Sequence, residues 1–315
     1  MGTLWLRAID PISRLIPAPL IPQARNLSDF PVCLVRPGGL GDLVLLTRAC
    51  FESGIEPRSL FWILESRNAI WADYLGLTYI RYDSVSDLYS CLSGKWGFHL
   101  VINSEQTFGL ASIFSKRLTH SGGNLVGFLS NLRTDLFNMT VSHNLDSEHE
   151  LTAFKRLISV IPQESRNLHD TRVPQSLVRK GEHCVIAIAG RTARYKKLSI
   201  REWCALITRA KRYSSEVILV GSPMDIAFAR QIVSCSNNTV KNLVGIVSFE
   251  EVVESIQTAR RLLGVDSGLV HIADFFGIPS DVVFTESSPT RWGPLVAESF
   301  VLHRSQLGAD GGTND

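Results

Sequence analysis

Val32-Cys33-Leu34-Val35, then Arg36-Pro37-Gly38-Gly39-Leu40-Gly41-Asp42, then an apolar stretch over 43–51, is the segment whose reading decides the fold. A short continuous apolar run, a glycine-rich turn and a run of helical periodicity are the strand, turn and helix that open a βα unit. Outward from it, strands are expected over 59–64, 79–82 and 99–103, with helices between them and another over 108–118. Strands that alternate with helices predict a parallel sheet.

A helix over 148–160 ends at Ile161-Pro162, and the polar stretch that follows carries Pro174 and Gly181 with little periodicity. The alternation then restarts, with strands expected over 184–189, 217–220, 261–265 and 280–284 and helices over 200–212, 224–234, 249–259 and 269–276. A chain of 315 residues suits two such units, because single cores stop growing at roughly 250–300 residues. The expected organisation is an N-terminal extension over 1–30, a Rossmann-like domain over 31–165, a linker over 166–182, a second Rossmann-like domain over 183–305 and a polar, glycine-rich tail over 306–315.

With 32 basic against 30 acidic side chains, the chain lacks the excess of positive charge that nucleic-acid binding needs. Cys33, Cys50, Cys91, Cys184, Cys204 and Cys235 are scattered without C-x-x-C spacing and read as buried thiols of a reducing compartment. No apolar run is long enough to span a membrane and no cleavable signal pattern opens the chain, so a cytoplasmic location is expected. Trp5, Leu6, Ile9, Ile12, Leu15 and Ile16 interleave with Arg7 and Arg14, which suits either a short helix on an anionic membrane surface over 1–16 or one packed on its own protein. No spacing of side chains marks a zinc or magnesium site.

In open parallel sheets ligands gather at the carboxyl ends of the strands, and three turns there carry chemistry. In the first, glycines including Gly41 let the backbone approach a ligand, and Asp42 stands at the start of a helix, either as a working carboxylate or as an N-cap. Gly39 and Gly41, followed by a strand ending in Glu65, partly match the dinucleotide fingerprint, but Val44 occupies the third glycine position, where close helix–strand packing is needed. The second turn, over 189–197, carries Arg191, Arg194, Lys196 and Lys197, which suits either a departing diphosphate or a solvated basic loop. The third, Gly264-Val265-Asp266-Ser267-Gly268-Leu269-Val270-His271, runs from a strand end into a helix N-terminus, where the amides of Ser267, Gly268 and Leu269 and the helix dipole make an anion site. There His271 suits either a phosphate contact or a backbone one, and Asp266 the holding of the turn.

Together these turns resemble the heptosyltransferases of glycosyltransferase family 9. The Gly41-Asp42 pair is similar to the one that follows the family's first strand, and Asp266-Ser267-Gly268-Leu269-Val270-His271 matches its Asp-Ser/Thr-Gly-Leu-x-His motif. Pro289-Thr290-Arg291-Trp292-Gly293-Pro294 resembles its Pro-x-Arg-Trp-Gly-Pro segment, and Lys196 aligns with the lysine of its Lys-x-Trp-Pro segment, although Leu198-Ser199 stands where the Trp-Pro would be. The family's Phe-Gly-Pro-Thr-Asp-Pro segment reads Phe284-Thr285-Glu286-Ser287-Ser288-Pro289 here.

The resemblance implies an α/β, GT-B type fold, two doubly wound Rossmann-like domains facing across a cleft. It implies inverting, metal-independent transfer without a cofactor, from a nucleotide-sugar donor, ADP-heptose foremost, to a lipopolysaccharide-core or other glycan or glycolipid acceptor at the inner membrane face. Asp42 would then be the general base. Lys196, with Arg191 or Arg194, would neutralise the leaving diphosphate, which the amides at Ser267, Gly268 and Leu269 hold and Ser287 contacts. Two rivals stay open. One is a protein that binds nucleotide sugar without transferring it, since the chain stops soon after Arg304 where the family runs on into a further helix. The other is a nicotinamide-dependent Rossmann oxidoreductase.

Overall fold

The computed structural model of the chain describes residues 10–15, 17, 32–92, 97–162, 181–188, 198–237 and 239–307. The chain divides into two compact units, Met1–Arg172 and Val173–Asp315. The first runs β1 (Val32–Arg36), α1 (Leu40–Glu52), β2 (Phe61–Leu64), α2 (Ala69–Leu75), β3 (Thr78–Arg81), α3 (Val85–Leu92), β4 (Phe98–Asn103), α4 (Gly109–Leu118), β5 (Thr119–Phe128), β6 (Met139–Val141) and α5 (Glu150–Ile158). Its six strands pair in parallel in the order β3-β2-β1-β4-β5-β6.

The second unit runs β7 (Cys184–Ala187), α6 (Ile200–Lys211), β8 (Val217–Val220), α7 (Ile226–Cys235), β9 (Lys241–Asn242), α8 (Phe249–Gln257), β10 (Arg261–Val265), α9 (Gly268–Phe275), β11 (Ser280–Val283), α10 (Pro289–Trp292) and β12 (Phe300–Leu302). Its sheet, again parallel, has the order β12-β11-β10-β7-β8-β9, which is the same winding read from the other edge. Both units are therefore doubly wound α/β sheets of the Rossmann order.

The central strands β1, β2, β7, β8, β10 and β11 are buried at every residue, as strands covered by helices on both faces must be. One core gathers Cys33, Val35, Ile63, Val101, Phe114 and Leu125; the other gathers Ile186, Trp203, Leu206, Leu219, Leu263 and Val283. Helix starts follow local chemistry: Ser199 and Ser248 cap α6 and α8 while Glu202 and Glu251 reach back to the cap amides.

Four strands and one helix were not expected from the sequence. In β5, Thr119 pairs with Phe98 but Asn124 pairs with Leu100, so residues 120–123 bulge from the ladder with Gly122 at φ +90°. Such a polar, glycine-rich stretch reads as loop. β6, β9 and β12 are edge or near-edge strands of three residues or fewer, and α10 is four residues long, all too short to show a period.

Two expectations are corrected. A disulfide joins Cys204 on α6 to Cys235 on α7, so the cysteines are not all free thiols; the helices bring the two α-carbons within 6.6 Å, a spacing no sequence pattern announces. Cys33, Cys50 and Cys184 are free and buried. Asp10–Leu15 is a 3-10 turn rather than the opening of an α-helix. It packs on its own protein: Asp10 Oδ1 accepts the Leu110 amide at 2.8 Å, and the Ser13 carbonyl accepts from buried Arg133 at 2.6 Å. Residues 1–9 and 16, which carry most of the expected membrane-facing side chains, lie outside the described residues. No described helix is long and apolar enough to cross a membrane.

Candidate functional site

A doubly wound sheet binds its ligand outside the carboxyl ends of the strands, where the winding reverses. In the first unit that point lies between β1 and β4, and in the second between β7 and β10. Chemistry placed on the turns after these four strands is therefore positioned by topology alone.

After β1 the chain turns through Pro37, Gly38 and Gly39 into α1. The helix begins at Leu40 with Gly39 as its N-cap, so Asp42 is the third helical residue rather than the cap itself. From there its Oδ2 accepts the Gly39 amide at 2.8 Å, and its Oδ1 lies 2.6 Å from Nη2 of Arg36. The Asp42 side chain is 19% exposed, its partner 3%. A carboxylate has about four acceptor positions, and among the described residues two of these are used. A β-carbon at Gly38 would stand 2.8 Å from Arg36 Nη2 and 2.9 Å from Asp42 Oδ2, so a side chain there would push on the ends of this ion pair.

Arg36 is the centre of this arrangement. Its Nη1 donates to the Ser104 carbonyl at 2.6 Å and its guanidinium lies over the Phe154 ring at 5.3 Å. Burial opposes its charge, yet Asp42, Glu105, Glu150 and Glu65 together outweigh burial and raise its pKa above the ordinary arginine value. Glu105, the second residue after β4, is the carboxylate whose pKa is pushed up: desolvation dominates over the pull of Arg36 and of the Thr107 and Phe108 amides. Glu65, directly after β2, accepts from the Tyr82 hydroxyl and from Arg67. Behind these, Gln106 donates to Glu150 at 2.6 Å, and Glu150 meets the ring of His143 at 3.2 Å.

In the second unit, Asp266 directly follows β10 and α9 starts on the cap Ser267. The amides of Ser267, Gly268 and Leu269 take no acceptor among the described residues and point out of the helix start, where the dipole favours an anion. Asp266 accepts a short hydrogen bond from the Ser287 hydroxyl, so two residues singled out in the sequence meet, and that hydroxyl is turned to a carboxylate. His271 is 4% exposed with its ring centroid 6.1 Å from that of Trp292, which brings the Asp-Ser-Gly-Leu-Val-His and Arg-Trp-Gly-Pro segments together. Asp274, farther along α9, fixes the end of that second segment by accepting the amides of Leu295 and Val296 at 2.7 and 2.9 Å. Arg191, Arg194, Lys196 and Lys197, on the turn that follows β7, lie outside the described residues.

The model of the family described as glycosyltransferase family 9 (heptosyltransferase) matches residues 127–309, more than half of the chain. The chain belongs to glycosyltransferase family 9. It is accordingly a glycosyltransferase, and its two α/β units are those of the GT-B fold. Solved structures of similar fold include a family 9 glycosyl transferase from Veillonella parvula, at TM-score 0.65 and 15% identity over 92% of this chain and 94% of that one. Escherichia coli heptosyltransferase WaaC with ADP superposes at TM-score 0.65 and 17% identity over 86% and 92% of the two chains. The E. coli ADP-heptose lipopolysaccharide heptosyltransferase II does so at 0.64 and 14% over 88% and 93%. No curated protein sequence matches the chain.

The family match covers the turn after β7, the α9 start and the Arg-Trp-Gly-Pro segment, whereas Asp42 precedes it. Arg36 and Glu105 of this glycosyltransferase were not singled out in the sequence, and Glu65 entered only as the acid that ends the strand of the partial dinucleotide match. A usable signal was present: each is a charged residue at the last position of a largely apolar strand or within two residues after it, where a buried sheet otherwise has little reason to carry charge. Among the described residues, no group of three or more His, Cys, Asp or Glu could hold a metal ion.

Proposed function

We propose that the protein transfers a sugar, a heptose from an ADP-activated donor, to a hydroxyl of a lipopolysaccharide-core or other glycan, with inversion and without a metal ion. The observation that carries this is the placement of Asp42 at the carboxyl end of β1: a carboxylate set by a helix start and an arginine, with acceptor positions that no described residue fills. Asp42 takes the proton of the acceptor hydroxyl as that oxygen attacks the anomeric carbon. The bond from that carbon to the diphosphate breaks on the opposite face, through an oxocarbenium-like transition state, and the configuration inverts. Charge then grows on the departing diphosphate. The Ser267, Gly268 and Leu269 amides receive it, and Lys196 with Arg191 or Arg194 neutralises it, which is the work a metal does elsewhere. The choice of ADP-heptose draws on the family match and on the ADP bound by the WaaC structure of similar fold.

The test is a thermal-shift series with ADP, UDP, GDP and NAD. A ligand that binds only the folded chain stabilises it by about 2.7 kcal/mol at a hundred times its Kd, and ADP should give the largest rise in Tm. A larger rise with UDP would reassign the donor, and NAD alone would return the oxidoreductase reading. In the same assay Lys196→Ala should weaken ADP roughly 10–100-fold, the worth of one charge-assisted hydrogen bond. Unchanged ADP affinity would remove Lys196 from the site.

A further inference from the structure

Asp42 hangs from a glycine-rich turn, whereas its partner Arg36 stands on a strand clamped from both sides. β1 lies between β2 and β4, and Arg36 is in register with Leu64 of β2. The Arg36 carbonyl accepts from the buried Asn68 side chain at 3.2 Å. One residue earlier, the Val35 carbonyl accepts from both the amide and the hydroxyl of Ser104, at 3.0 and 2.9 Å. The side chain is held as firmly as the backbone: the Ser104 carbonyl at Nη1 and the Phe154 ring fix the plane of the guanidinium, and from that plane Nη2 meets Asp42 Oδ1.

Stability alone is a poor reason for this arginine. It is 2% exposed, and its Nε is buried without a hydrogen-bond partner among the described residues. That nitrogen faces the backbone of Gly38, where a β-carbon would stand 3.1 Å away. Burying a charge and leaving one of its N–H groups unpaired both cost free energy, and apolar side chains in place of a buried ion pair commonly hold a fold as well or better. Of the four carboxylates that act on the Arg36 charge, Asp42 acts most strongly. A guanidinium kept in such a place is there for what it aims.

We infer that Arg36 is a positioning residue for the transfer, which hands the rigidity of the central strand to Asp42 and holds its carboxylate in the orientation that takes the acceptor proton. The inference rests on the reading of Asp42 as the base and goes beyond it by naming the group that sets its aim. Each Asp42 oxygen has one fixed donor, the Gly39 amide on Oδ2 and Arg36 on Oδ1, and two such points define the plane of the carboxylate. With Arg36 gone, the carboxylate keeps only the Gly39 contact and turns about it. A reacting group displaced by about 1 Å costs on the order of 10²-fold in rate.

A double-mutant cycle on the full chain tests this, read as ADP released from ADP-heptose with lipopolysaccharide core as acceptor. Arg36→Met beside the native Asp42 should lower kcat about 10–100-fold and leave ADP affinity within about twofold. In the Asp42→Asn chain the same change should cost less than about twofold, because no base is left to aim. Arg36→Lys keeps a positive charge among the carboxylates, so it should stay folded even where methionine does not. Lysine has no planar fork to reach Ser104 and Asp42 together, and its loss of kcat, about threefold or more, should likewise vanish in the Asp42→Asn chain. Equal losses with and without the Asp42 carboxylate, or native kcat in the Arg36 variants, overturn the proposal. A slow Asp42→Asn chain with additive Arg36 losses condemns the positioning role alone. An Asp42→Asn chain at native speed condemns the base, and a native chain that releases no ADP condemns the transfer reading; either takes the role of Arg36 with it.

Discussion

Asp42→Asn is expected to lower kcat by about 10²–10⁴-fold, the usual worth of a general base, while ADP affinity stays within about twofold of the native chain. The amide keeps the shape of the carboxylate but cannot take a proton at neutral pH. It also cannot serve both neighbours: its one oxygen can accept from the Gly39 amide or from Arg36, and its nitrogen then faces the other donor. The fold should nonetheless hold, because Glu105, Glu150 and Glu65 still surround the Arg36 guanidinium and the loss is about one hydrogen bond, roughly 1 kcal/mol. Initial rates at saturating donor and acceptor, with circular dichroism melting of both chains, decide it. Near-native kcat would reduce Asp42 to a residue that only steadies Arg36 and the start of α1.

The neighbouring arginine explains why that carboxylate was legible in the sequence while its surroundings were not. Gly41-Asp42 lies between an apolar run and an apolar helix, so its place at the carboxyl end of a first strand follows from period and punctuation alone. The same logic located β8 and β10 to the residue, since Val217–Val220 and Arg261–Val265 are bounded by polar turns. It placed Glu65 at a strand end but could not bring it or Glu105 to Arg36, because that meeting depends on β1 lying between β2 and β4, and strand order is a property of the sheet. Nor could it find the Cys204–Cys235 link or the bulged strand β5, each of which is set by the packing of one element on another. Local pattern fixes which residues stand at strand ends; topology decides which strand ends are neighbours.

The same division separates carboxylates that work from those that hold. Asp281 is 0% exposed near the amino end of β11, the end of the sheet away from Asp266 and the α9 start. Its Oδ2 lies 2.5 Å from Arg209 Nε and accepts from the Tyr213 hydroxyl at 3.2 Å, and its Oδ1 pairs with Arg261. Arg261, itself buried, lies 4.4 Å over the Tyr213 ring and also donates to the Glu298 carbonyl at 3.0 Å. Asp281→Leu would leave these guanidiniums without a carboxylate, and removing one member of a buried ion pair costs about 3–5 kcal/mol. That is a large part of the roughly 5–15 kcal/mol that holds a typical domain folded, so the urea midpoint should fall sharply. The ADP affinity of the remaining folded chain should not change, because nothing at the α9 start touches this cluster. The triple change Asp281→Leu, Arg209→Met, Arg261→Met removes the orphaned charges along with their partner and should recover much of the loss, as apolar replacements of buried ion pairs commonly do. A single variant as stable as the native chain, or a triple variant no better than the single one, would mean that this buried pairing contributes little and that packing of the rings around it is what holds β10 and β11 to α6.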